Sequence, residues 1–161
     1  MHDRASFLKE QLQLTPHPEG GFYREIYRSP SFVTEESSGR PRSALTSIYY
    51  LLPAGQVSRL HRVASDEVWH FLDGDPLTLH VLDPAIETVQ TYLLGPVAGD
   101  ARPIHVVPAN HWQAAVPTGA FTLVGCTMGP GFEFEDFALL AQNETLSQIV
   151  RARYPRLSPL L

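Results

Sequence analysis

The sequence predicts an all-β barrel or sandwich with one short helix at each end. Three observations carry this reading. Short runs rich in β-branched, aromatic and leucine residues recur along most of the chain. Glycine and proline close those runs at regular intervals. No helical stretch interrupts the series between residues 44 and 127, as a parallel α/β sheet would require.

Taken in order, residues 3–14 read as an amphipathic helix, with Asp3 as its cap and Phe7, Leu8 and Leu12 on one side. Pro16 and Pro18 end it, and His17-Pro18-Glu19-Gly20-Gly21 is a turn rich in helix breakers. Phe22–Arg28 reads as a strand, with Tyr23, Glu25 and Tyr27 on one face and Phe22, Arg24 and Ile26 on the other. Residues 34–43, with Ser37, Ser38, Gly39 and Pro41, read as a surface loop. Further strands follow at 44–52, 56–63 and 66–72, the last closed by Asp73-Gly74-Asp75-Pro76. Residues 77–82, 88–94, 104–107, 113–116 and 121–128 complete the series, and 132–137 is a last strand-like piece. Residues 144–153 form the closing helix, with Asn143 as its cap. The 161 residues suit one domain, with the barrel core over about 20–137.

Composition narrows the function classes. The chain is 43% hydrophobic and 18% charged, ample for a packed core and too weakly charged for disorder. Twelve basic residues stand against 17 acidic ones, a net charge of −5, which argues against nucleic acid as a partner. Lys9 is the sole lysine, so the positive charge is almost all arginine. Cys126 is the sole cysteine, so no internal disulfide forms, and its apolar neighbours suggest a buried, inert thiol. No apolar run approaches the roughly 20 residues of a membrane helix, and Asp3, Arg4, Lys9 and Glu10 break any apolar leader. A cytoplasmic protein without membrane contact is the expectation.

The informative segment runs from Gly55 to Gly74, two glycines that bracket an expected hairpin holding His61 and Glu67. With a period of two, Arg59, His61 and Val63 share one face of the first strand, and Glu67, Trp69 and Phe71 share one face of the second. If both faces look inward, His61 and Glu67 meet in an aromatic-lined cavity. Burial there raises the pKa of Glu67, a neighbouring imidazolium opposes that shift, and His61 suits proton movement at neutral pH.

This segment resembles the first motif of the cupin superfamily: Gly, five residues, His-x-His, three or four residues, Glu, six residues, Gly. Gly55, His61, Glu67 and Gly74 fall at those spacings, with Val63 in place of the second histidine. The second cupin motif resembles Pro108 to Gln113, with Asn110 in the glycine place and Gln113 in the histidine place. The chain is most similar to one small cupin subfamily of uncharacterised function. The blocks that carry this are residues 17–25, 65–71, 74–77, 112–115, 124–127 and 130–137, within about 14–140. The resemblance implies a double-stranded β-helix, the cupin jelly-roll barrel, commonly dimeric, with no established reaction. A homodimer in which the strand 22–28 crosses to the partner is the corresponding expectation.

In metal-dependent cupins the positions of His61, Val63, Glu67 and Gln113 hold a divalent metal. Valine cannot ligate, and a glutamine amide is a weak ligand for metals that favour imidazole. No cofactor is therefore expected; if a metal binds, it does so through His61 and Glu67. The candidate catalytic residues are His61 and Glu67, and the candidate ligand-binding residues are Arg59, Trp69, Phe71, Trp112, Gln113, Tyr49 and Arg24. Tyr50 is a further cavity candidate, and Trp112 ranks first among the aromatics because it sits on the second-motif strand. Glu133 and Glu135 are expected on one strand face with arginine partners or solvent.

Three functions follow. In the first, a metal-independent isomerase or epimerase acts on a sugar-like or acidic metabolite, with His61 as base and Glu67 setting its tautomer. The second is a small-molecule sensor or carrier without catalysis. The third is a metal-dependent oxygenase or lyase.

Overall fold

Proline, glycine and hydrophobic alternation set the strand ends, and the computed structural model, which describes residues 3–35 and 39–161, places them close to expectation. The elements in chain order are α1 (Asp3–Gln11), β1 (Thr15–Pro16), β2 (Phe22–Arg28), β3 (Phe32–Thr34), β4 (Pro41–Ser43), β5 (Thr46–Pro53) and β6 (Ser58–Arg62). Then come β7 (Asp66–Gly74), β8 (Leu77–Leu82), β9 (Val89–Leu94), β10 (Ile104–Val107), β11 (Trp112–Pro117), β12 (Phe121–Gly129), β13 (Ala138–Leu139) and α2 (Glu144–Arg153). One sheet has the order β1-β2-β5-β12-β7-β10 and the other β13-β6-β11-β8-β9, with β3 and β4 paired apart from both. The two large sheets face one another as a double-stranded β-helix, the expected jelly roll.

Their inner faces meet in a core that includes Tyr50, Leu52, Trp69, Leu79, Val81, Ala115 and Val124. Both outer faces are partly covered as well. α1 lays Ala5 and Leu8 over Leu51, Phe121 and Leu123 of the six-stranded sheet. The C-terminal segment lays Leu140, Val150, Leu157 and Leu160 over Leu60, Leu82, Trp112 and Ala114 of the other sheet. Strands covered on both sides have no polar face to alternate with, so β11 and β12 read as continuous apolar runs.

Four expectations need correction. β6 and β7 do not form a hairpin: β6 pairs with β11 and β13, and β7 pairs with β12 and β10. Residues 63–65 instead carry the chain from one sheet to the other. The stretch expected as a loop over 34–43 contains half of a hairpin, with Phe32 opposite Ser43 and Thr34 opposite Pro41; its residues 36–38 lie outside the described residues. Residues 132–137 are not a strand but contain a 3₁₀ turn over Phe134–Asp136. The segment's first residue is held by side chains, with the Phe132 carbonyl accepting from Arg28 and the Phe132 amide donating to Thr46, and the Asp136 and Phe137 amides bond back within the turn. Finally, α1 stops at Gln11 because Gln13 turns the chain with a φ of 54°, and Phe7 is half exposed while Leu8 is buried. α2 keeps its expected bounds, and the Asn143 side chain caps it by accepting from the Leu146 amide.

The cover over the five-stranded sheet is a packed interface. Leu157→Ala or Leu160→Ala is expected to cost about 2–5 kcal/mol in urea unfolding. Leu72→Ala, at a half-exposed position on the opposite sheet, is expected to cost no more than about 0.5 kcal/mol.

Candidate functional site

The site begins with the turn at residues 17–21. The Gly20 amide donates to the His17 carbonyl at 3.0 Å and the His17 amide to the Gly21 carbonyl at 3.1 Å. Tyr50 donates its hydroxyl to the Gly20 carbonyl at 2.9 Å, and the Gly21 amide donates to the Gln56 side chain at 3.1 Å. Gly20 has a φ of +113°, and a β-carbon there would stand 2.1 Å from the Val57 carbonyl oxygen. Only glycine permits this approach. The turn is thereby pressed onto β5 and β6, and it drives the side chain of Glu19 into the barrel, 6% exposed.

Glu19 meets His61 there. Its Oε2 lies 3.2 Å from His61 Nε2 and 3.4 Å from His17 Nδ1, and its Oε1 accepts from the Ser58 hydroxyl at 2.8 Å. His61 Nδ1 lies 2.8 Å from the Arg59 carbonyl. A carbonyl can only accept, so Nδ1 carries a proton. In a neutral His61 the Nε2 lone pair then faces Glu19, and the two groups hold one proton between them. Burial lowers the pKa of His61 and raises that of Glu19, which favours the uncharged arrangement. His17 Nδ1 accepts from the Glu19 amide at 3.2 Å.

Glu67 lies across the same cavity in a separate network. The Trp69 indole N–H, which can only donate, reaches Gln113 Oε1 at 2.9 Å. The Gln113 amide is therefore fixed with its nitrogen toward Glu67, to which it donates at 2.5 Å. Desolvation pushes the Glu67 pKa up to about 6, with nearby Glu19 adding to the rise and His61 and Gln113 opposing it. The same burial raises the Cys126 thiol well above its ordinary value, so it is a neutral thiol. His61 and Glu67 do face one interior. The group on His61 Nε2, however, is Glu19, and the Arg59 carbonyl sets the tautomer.

Two β-bulges account for much of the difference from the alternation argument. Gln113 pairs with His61 and Ala115 with Ser58, so two steps on β11 oppose three on β6. The extra residue puts Ser58 and His61 on the same side. Arg59 is turned out and donates to the Pro18 carbonyl at 2.6 Å. A second irregularity, between Glu25 and Tyr27 on β2, brings Arg28 rather than Tyr27 to the cavity. Arg28 binds Glu25 through two nitrogens at 2.9 and 3.0 Å, Glu133 at 2.9 Å and the Phe132 carbonyl at 2.9 Å. That ties the 130–137 segment across the mouth and brings Phe132, Phe134 and Phe137 to the rim of a cavity of about 110 Å³. Phe137 stacks on His61, with ring centroids 5.5 Å apart.

The other expected ligand residues lie elsewhere. Trp112 packs under the C-terminal segment with Arg62 over its ring at 4.9 Å, because odd positions of β11 face in and even ones face out. Tyr49 packs toward α1, and Arg24 reaches the Gln13 side chain at 2.8 Å. Trp69, 1% exposed, and Phe71 belong to the inner core rather than the cavity wall; Trp69 acts by orienting Gln113. Tyr50 does line the cavity. Glu19 and His17, which alternation did not single out, stand in the breaker-rich turn; its paired glycines beside a carboxylate are the signal that marks a close backbone approach. Glu133 and Glu135 find arginine partners, Arg28 and Arg40.

The four cupin metal positions do not fit a metal here. Val63 has no donor atom, Gln113 has both amide atoms engaged, and His61 Nε2 is turned to Glu19. Among the described residues no group of three or more His, Cys, Asp or Glu side chains is arranged to hold one.

The raised pKa of Glu67 has a definite sign. The folded state holds this proton more tightly than the unfolded chain, so the group's contribution to stability falls as pH rises from 4.5 through about 6. His61 and His17, with lowered pKa values, act oppositely and lose stability as pH falls through 6.5. Glu67→Gln removes the first slope and keeps an acceptor for Gln113. In urea unfolding the variant is expected to exceed the parent by about 2 kcal/mol near pH 8, and by less than half of that near pH 5. A gap that does not change with pH would contradict the assignment. Gly20→Ala is expected to destabilise the fold by roughly 2 kcal/mol or more through the clash with Val57, read in the same assay.

Comparison with known proteins agrees with this architecture. The family model described as cupin superfamily (DUF985) matches residues 7–140. A hypothetical protein from Leishmania major is 32% identical, with a TM-score of 0.82 over 97% of this chain and 95% of its own. A protein from Shewanella oneidensis is 35% identical, with a TM-score of 0.80 over 99% of this chain and 95% of its own. Oxalate decarboxylase from Lactobacillus farciminis shares the fold, with a TM-score of 0.57 at 13% identity over 91% of this chain and 39% of that one. No curated protein matches the sequence. No described helix is long and apolar enough to cross a membrane. The chain belongs to the cupin superfamily, in the family designated DUF985.

Proposed function

We propose that the barrel binds a small polar molecule and moves a proton on it without a metal, as an isomerase or epimerase does. The observation that supports this most directly is the pairing of two buried acid–base groups in one cavity. Glu67 has a pKa near 6 and takes the proton; the Glu19–His61 pair, holding one proton between two heavy atoms 3.2 Å apart, supplies or stores the other. Groups poised near neutrality transfer protons best at neutral pH. Trp69 and Gln113 hold Glu67 in place, and Ser58 and the 17–21 turn hold Glu19. An acidic substrate is disfavoured, since Arg59 and Arg24 point away and Arg28 is already paired with Glu25 and Glu133.

A second reading, binding without reaction, is favoured by a different observation. Both ring nitrogens of His61 already face protein groups, Arg59 and Glu19, which leaves the imidazole no vacant position for a ligand.

Solvent exchange separates the two. Small aldoses, ketoses and hydroxyketones, each with and without an alkylammonium substituent, are incubated with the protein in deuterium oxide, and loss of the carbon-bound proton beside the carbonyl is followed by proton NMR. Catalysed exchange is expected for at least one compound, to survive chelator treatment, and to fall by about 10²-fold or more in Glu67→Gln and Glu19→Gln. Saturable binding without exchange would leave the carrier reading in place. Exchange lost on chelation would overturn the metal-free mechanism.

A further inference from the structure

We propose that the cavity's natural occupant is a small organic cation, an alkylammonium or similar onium group seated against Glu67 and ringed by aromatic side chains. The inference rests on reading the cavity as a ligand site and adds the charge of the ligand.

It starts from the partners of Glu67. The carboxyl is 6% exposed, and its described polar contacts are the Gln113 amide and the Cys126 thiol. No arginine or lysine among the described residues forms an ion pair with it or with Glu19. Among the described residues Arg28 is the one guanidinium lining the cavity, and Glu25, Glu133 and the Phe132 carbonyl take four of its five N–H donors. His61 and His17 are held toward their neutral forms by burial. Once Glu67 ionises, the cavity therefore holds a buried negative charge without an arginine or lysine partner, an arrangement that is unfavourable until a counter-charge arrives.

The walls fit such a counter-charge. Tyr23, Tyr50, Phe132, Phe134 and Phe137 line the space together with the carboxyls. Aromatic faces attract a cation through the ring quadrupole, and enclosure by several rings suits an alkylated ammonium, whose charge is spread over apolar methyl groups. An anion would meet two carboxylates and an arginine whose charge Glu25 and Glu133 already pair. A neutral polyol would leave the charge of Glu67 uncompensated.

Calorimetric titration of the full chain with choline and with its uncharged carbon isostere, dimethylbutanol, tests this, with glucose and malate as further probes. Choline is expected to bind near pH 7.5. Its affinity is expected to be about tenfold lower near pH 5, where Glu67 must first lose a proton. Dimethylbutanol is expected to bind at least about tenfold more weakly. Glu67→Gln, a variant expected to fold at least as stably as the parent, should lose about tenfold or more for choline and nothing for dimethylbutanol. Phe134→Ala, at the exposed rim, should weaken choline by roughly threefold. Equal affinity for choline and dimethylbutanol, tighter binding of glucose or malate, or no binding of choline at tens of millimolar would overturn the proposal. Binding of a neutral probe in those cases would still leave the cavity as a ligand site. Failure of the deuterium exchange with choline binding intact would remove proton transfer and not this ligand class.

Discussion

Two carboxyl groups, Glu19 and Glu67, sit inside an apolar barrel, where an unpaired charge costs several kcal/mol. Much of the local structure answers that cost. Glu19 is met by Ser58 and by a His61 whose tautomer is fixed from behind by a backbone carbonyl. Glu67 is met by a glutamine whose orientation is forced by a tryptophan N–H. Neither carboxyl has an arginine or lysine ion-pair partner among the described residues. Hydrogen bonds from neutral groups stabilise each one without cancelling its charge, so both retain raised pKa values and both remain able to exchange a proton.

The scaffold makes this arrangement rigid by placing each partner on a different element. Glu19 comes from a glycine turn, His61 and Ser58 from β6, Glu67 and Trp69 from β7, and Gln113 from β11. β6 and β7 lie in opposite sheets, so the cavity is bounded on two sides by independent hydrogen-bonded ladders. The outer covers bury the backs of β5 and β12 under α1 and the backs of β6, β8 and β11 under the C-terminal segment. At the mouth, Arg28 and Arg42 anchor the aromatic segment through carboxylates and backbone carbonyls. Such contacts to a guanidinium are stronger than neutral hydrogen bonds and fix geometry as well as energy.

Much of the fold was legible because its signals are local. Prolines and glycines bound the strands, hydrophobic runs fill them, and Asn143 caps the closing helix within a residue of expectation. The segment 132–137 misled because Phe and Glu alternate there as in a strand, while its backbone bonds run to the Arg28 and Thr46 side chains and within its own 3₁₀ turn. The candidate site was legible only in part. His61 and Glu67 could be named from their spacing. Arg59 was misplaced because the β6 bulge is a property of its pairing with β11, and nothing in β6 alone announces it. Trp112 was misplaced because both faces of β11 are buried, so hydrophobicity could not tell inside from outside.

The amino-acid sequence by itself determined an all-β barrel, most of the boundaries of its longer strands, its terminal helices and the presence of a histidine and a glutamate within one motif. These follow from dihedral preferences and from side-chain period, which act over a few residues. Tertiary structure alone decided that Glu19, 42 positions before His61 in the chain, shares its proton. It also decided that Arg28 takes the place expected for Tyr27, and that Trp69 and Gln113 support the site from outside the cavity. The physical reason is that a buried polar atom must be satisfied by whichever group the fold brings within hydrogen-bond reach. That choice depends on strand register, bulges and crossings between sheets, which no local pattern encodes.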